Sequence, residues 1–149
     1  MQISLDGMRQ LAADIVSNLS PLSGGAHVVA LSGNVGAGKT TLSQQFAQTL
    51  GVTESVTSPT FVLMKQYPLA GQRFAQLVHI DAYRIESLDE LAPLRFDELL
   101  ADTTNLMLIE WPEHIADALP QNKTTISLSV PDDAPQDARD VTIAYASTT

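Results

Sequence analysis

Apolar positions along the chain change period several times, and each change marks an element. Leu5, Met8, Leu11, Ala12, Ile15, Val16 and Leu19 fall at helical spacing and predict an amphipathic N-terminal helix, with Met8 and Leu11 on its core side. Residues 20–25, rich in serine and glycine with one proline, read as a loop. Val28-Val29-Ala30-Leu31 is a short, buried-type strand that breaks into glycines. The chain then enters a helix through Leu42, Phe46, Ala47 and Leu50, closed by Gly51.

Residues 61–67 and 74–80 read as two strands joined by Pro68-Leu69-Ala70-Gly71-Gln72. A connection this short cannot make a parallel crossover, so the pair should be an antiparallel hairpin. Helical patterns follow at residues 88–91 and 96–100, then a buried-type strand, Leu106-Met107-Leu108-Ile109. A short helix after Pro112 should stop near Leu119, before Pro120. Residues 124–130 and 141–145 look like a second hairpin. The sum is an α/β fold in one domain over residues 1–149: a mixed sheet with a parallel centre, antiparallel hairpin additions and helices on both faces.

Composition narrows the class. At 149 residues with 44% hydrophobic content the chain can bury a real core. No run approaches a membrane span, and the acidic, amphipathic N-terminus does not read as a signal peptide. Without cysteine there is no disulfide and no thiolate metal site, which makes the cytoplasm the expected compartment. The net charge of −9, with only eight Lys and Arg residues, argues against direct gripping of a nucleic-acid backbone and favours a protein partner.

The candidate chemistry sits in the glycine break. Gly33, Gly38, Lys39 and Thr40 satisfy G-x-x-x-x-G-K-[ST], between a predicted strand and a predicted helix, as a phosphate-binding loop requires. Asn34, Val35, Gly36, Ala37 and Gly38 would cradle phosphate oxygens with backbone N–H groups, and Thr41 continues the helix head. Lys39 suits the β- and γ-phosphates and Thr40 a Mg²⁺ ion. Two acids end apolar runs where a parallel sheet opens its crevice: Asp81 and Glu110. Each could hold the metal side of the site or merely cap a turn or helix. Thr57-Ser58-Pro59-Thr60 reads as a γ-phosphate-sensing segment or an ordinary turn. Arg84 could serve the crevice or pair with Glu86, and Trp111 could flank nucleotide or partner, or belong to the core or rim. His79, on an apolar strand, reads as a satisfied structural histidine, and Arg139 as a strand-edge charge or part of the site.

The pattern lacks a regulatory GTPase's features: no glycine follows Asp81 at the required place, and Asn122-Lys123-Thr124-Thr125 lacks the guanine-reading aspartate. A stand-alone kinase of a small hydroxylated metabolite remains an alternative, although no arginine-rich lid is visible. A nucleotide-dependent binding module is another. The remaining class is an ATPase governed by another protein.

Four segments in order, residues 33–41, Ser58-Pro59-Thr60-Phe61, His79-Ile80-Asp81-Ala82-Tyr83-Arg84 and Glu110-Trp111-Pro112, resemble the TsaE (YjeE) family of small bacterial ATPases from about residue 5 to residue 146. The resemblance implies a P-loop NTPase fold binding ATP and Mg²⁺. It also implies support of the TsaD and TsaB proteins that make threonylcarbamoyladenosine at position 37 of tRNAs reading A-starting codons. The family does not itself transfer the threonylcarbamoyl group, and tRNA is met only through partners. It further implies that Glu110 is the metal-side carboxylate, that Asp81 acts near attacking water, that Thr57, Ser58, Thr60 and Arg84 are switch-like, and that Trp111 borders nucleotide or partner. Asn34 stands where the family commonly has Asp, and a glycine usual near Ala92-Pro93-Leu94 is missing.

Overall fold

The computed structural model describes residues 1–53 and 63–147. Among them, the strands β1 (Gln2–Ser4), β2 (His27–Gly33), β3 (Met64–Pro68), β4 (Gln76–Asp81), β5 (Asn105–Glu110), β6 (Thr124–Ser129) and β7 (Ala138–Ala144) form one sheet. Their spatial order is β1-β7-β6-β2-β5-β4-β3. The central four, β6, β2, β5 and β4, are parallel. The edges are antiparallel: β3 on β4, β7 on β6, and β1 on β7. Both expected hairpins are present.

The strand compositions follow from position. β5 is buried at every residue and β2 over its first five, so both read as unbroken apolar runs rather than alternations. β3 lies at an edge, alternates less clearly, and ends on a proline that a central strand would not tolerate.

Successive side chains of a strand face opposite sides, so each β2 residue feeds one of two cores. On one face, Val29 and Leu31 pack against α1 (Met8–Ser17) and α2 (Lys39–Thr49) through Met8, Leu11, Ile15, Leu42 and Phe46. On the other, Val28 joins Val78 and Met107 beneath α3 (Phe96–Ala101) and the 3₁₀ turns Leu88–Leu94 and Pro112–Ala118, through Leu91, Phe96 and Ile115.

The departures from expectation are local. Leu5–Gly7 is a 3₁₀ turn whose cap, Ser4, accepts from the Gly7 N–H, and the α-helix begins only at Met8. β1 was not foreseen, because its three residues hold one apolar side chain. β7 starts at Ala138, ahead of the expected Val141, because Arg139 and Asp140 mask the alternation. Residues 88–91 and the stretch after Pro112 take 3₁₀ rather than α geometry, the first opened by a Ser87–Glu90 capping box. Arg95 joins the 3₁₀ turn to α3 in the left-handed region, φ 56°. For a residue with a side chain that conformation costs about 1–2 kcal/mol.

Candidate nucleotide site

The C-terminal ends of the parallel strands converge on the loop between β2 and α2. Gly33 is obligatory by proximity, since a Cβ there would lie 2.7 Å from the Leu128 carbonyl oxygen. Gly38, the residue before α2, is obligatory by conformation at φ 105°. Ala37 N–H donates to Asn34 O at 3.0 Å and tightens the turn. Asn34, Val35, Gly36 and Thr40 are exposed at its mouth. α2, with its free N–H groups and positive dipole end, begins at Lys39.

Lys39 is buried and bends back on its own loop. Its Nζ donates to Gly33 O and, at 3.1 Å, to Asn34 O, and lies 4.2 Å over the Trp111 ring. Burial pushes the ammonium below its ordinary range, against the pull of Glu110, Glu113 and Asp81.

Asp81 and Glu110 stand opposite one another at the tips of β4 and β5. Glu110 is buried, and its Oε2 accepts from His79 Nε2 at 2.6 Å and from Ser43 Oγ at 3.3 Å. His79 is therefore more than the satisfied structural histidine read from the sequence: one nitrogen holds Glu110, and the buried Nδ1 has no partner among the described residues. Asp81 is half-buried, and its Oδ1 accepts from the Tyr83 N–H at 3.0 Å. Both acids, with Lys39, Thr40, Thr41, Trp111 and Arg139, line one cleft of about 310 Å³. A larger cavity of about 440 Å³, among Leu22, Leu100, Leu119 and Pro120, lies toward the other ends of the strands and gathers no comparable charge.

Trp111 follows Glu110 directly and takes a left-handed conformation, φ 58°. It sits at the rim, in contact with Tyr83 and His114 at centroid distances of 5.0 and 5.6 Å. Arg84 is exposed and is not among the described residues lining the cleft. Thr57, Ser58 and Thr60 lie outside the described residues. Sequence reasoning missed Ser43, Glu113, whose Oε2 accepts from Ser32 Oγ at 3.5 Å, and Leu5, which lines the cleft. A serine one helical turn past Thr40 was the available signal for Ser43.

These residues fit a magnesium–polyphosphate ligand. Mg²⁺ keeps waters and is held by one or two carboxylates, a hydroxyl and substrate phosphates rather than by a closed protein cage. Thr40 and Glu110 offer a hydroxyl and a carboxylate of that kind in one cleft, with Asp81 beside them, and among the described residues no group of three or more His, Asp or Glu side chains is gathered as a cage.

A central parallel strand running through such a loop into a helix, with acids at the tips of the next two parallel strands on one side, β5 and β4, defines a P-loop NTPase-type protein. The comparisons narrow the class. The family model "Threonylcarbamoyl adenosine biosynthesis protein TsaE" matches residues 3–141. The tRNA threonylcarbamoyladenosine biosynthesis protein TsaE of Streptomyces coelicolor is 37% identical over 84% of this chain and 84% of its own. That of Treponema pallidum is 38% identical over 78% of this chain and 81% of its own. The crystal structure of YdiB from Bacillus subtilis superposes with a TM-score of 0.73 at 27% identity, over 99% of this chain and 84% of that one. The chain belongs to the TsaE family.

Proposed function

We propose that this protein is an ATPase that binds ATP with Mg²⁺ through the loop of residues 33–40. It would act as one domain in the cytoplasm and support TsaD- and TsaB-type proteins in making threonylcarbamoyladenosine on tRNA. Family membership supports the pathway. The single observation that carries the chemistry is the convergence of Lys39, Asp81 and Glu110 on one cleft at the head of α2.

In this reading the loop N–H groups and Lys39 take the phosphate oxygens, and Thr40 with Glu110 would hold a metal ion, which would supply positive charge against the developing phosphoryl charge. His79 and Ser43 keep Glu110 aimed. Water attacks the γ-phosphorus as the bond to the β–γ bridging oxygen breaks, leaving ADP and inorganic phosphate. Asp81, half-exposed at the crevice, orients that water. Trp111 borders nucleotide or partner, and tRNA is met through the partners.

Lys39→Ala tests the site. With partner proteins present, phosphate release should fall at least about 100-fold, since a preorganised charge at the transferring group is lost. Undiminished release would refute the assignment. Labelled phosphate appearing on a small hydroxylated acceptor, instead of as inorganic phosphate, would point to a stand-alone kinase.

A further inference from the structure

We infer that Arg139 is the positioning residue of the phosphate loop and the standing counter-charge for the polyphosphate it receives. The inference rests on the nucleotide-binding reading of the cleft. Arg139 is buried on β7, between β1 and β6 on the antiparallel side of the sheet, yet lines the cleft. Its Nη1 donates to Gln136 O and Ala138 O, both at 2.8 Å, and anchors the guanidinium to its own strand and the turn before it. The other side of the fork reaches across the fold: Nε donates to Ala37 O and Nη2 to Gly36 O, each at 3.2 Å.

Those two carbonyls belong to consecutive peptide planes. A trans peptide carries its C=O and N–H on opposite sides, so fixing a carbonyl fixes the direction of the next residue's N–H. The Gly36 carbonyl sets the Ala37 N–H, which the Asn34 carbonyl takes up at 3.0 Å. The Ala37 carbonyl sets the Gly38 N–H, at the head of α2. The plane between Gly36 and Ala37 is thus held from both ends, and the loop is shaped before a ligand arrives. Electrostatics gives a second, independent reason. Arg139 makes no ion pair among the described residues, and its four bonds all end on neutral carbonyl oxygens. A buried cation without a counterion is costly. An anion in the cleft it lines supplies that counterion.

The test measures binding rather than turnover. Titration calorimetry with Mg²⁺-ATP and with tripolyphosphate, a probe lacking base and ribose, is run on full-length wild type, Arg139→Lys, Arg139→Gln and Lys39→Ala. The ligand-free melting temperature of each is recorded alongside. Affinity for both ligands should fall about 10-fold in Arg139→Lys, which keeps the charge but loses the fork, and further in Arg139→Gln. Arg139→Lys should melt near wild type. Wild-type affinity in both Arg139 variants, with binding lost in Lys39→Ala, would overturn the inference and leave the site reading intact. So would a lowered melting temperature with unchanged affinity, which marks a purely structural arginine. Undiminished binding by Lys39→Ala would instead sink the site reading itself. Should Arg139→Gln fail to fold, Arg139→Lys decides.

Discussion

Glu110 enters the cleft with one oxygen already held by His79 and Ser43, whereas Asp81 spends a bond on the Tyr83 N–H at the crevice edge. A carboxylate locked by packing is the better fixed ligand for a demanding ion such as Mg²⁺. Glu110→Ala should therefore weaken Mg²⁺-dependent nucleotide binding by about 10-fold or more, and Asp81→Ala by less. Titrating Mg²⁺ against both variants checks this, and the reverse ranking would exchange their roles. Lys39, Thr40 and the two acids could be proposed from the sequence because phosphate chemistry fixes their spacing or their place at strand tips. The contacts of Arg139 and His79 could not. Arg139 acts on carbonyls about a hundred residues away, and His79 on an acid from a neighbouring strand. Neither contact leaves a local signature, and a cation inside a strand reads equally as an edge charge or as part of the site.

At the level of elements, β2 is tied in place by its first residue. Buried His27 donates from Nδ1 to Ser20 O at 2.8 Å and, through Nε2 at 2.7 Å, accepts from the Thr124 hydroxyl, linking the preceding loop, β2 and β6. Burial lowers its pKa from the ordinary 6.5, with the Ser20 bond pulling the other way. Below about pH 6.5 the unfolded chain gains a proton that the native state resists, so stability falls as pH drops through that value toward the lowered native one. Urea midpoints should decline from about pH 7.5 to about pH 5.5 and decline less in His27→Gln. Equal slopes would clear His27 of the effect. The first hairpin was readable because its short connector forbids a parallel crossover, and the second from its two strand-like runs. β1 was not, because three residues carry no period. The 3₁₀ geometry of residues 88–94 also escaped notice, since a capping box announces a helix start without specifying its pitch.

For the molecule as a whole, charge limits its partners. With a net −9 and eight basic residues, of which Lys39 and Arg139 are buried beside the phosphate loop, little cationic surface remains for a polyanionic backbone. The isolated chain should show no saturable tRNA binding at about 0.15 M salt and about 10 µM protein, measured by filter retention. Sub-micromolar retention would contradict the view that tRNA is met through other proteins. The mixed sheet was legible because its parallel core and its hairpins obey different connection rules. The way its far edge reaches back to the loop was not, because that link runs through one arginine. Lys39, meanwhile, already answers two carbonyls of its own loop. Filling the cleft is therefore an exchange of partners, and an arriving anion must return more than the ammonium gives up. On the proposed reading, a tail of several phosphates returns more contacts to that ammonium than a single phosphate can, which would favour polyphosphates over small anions.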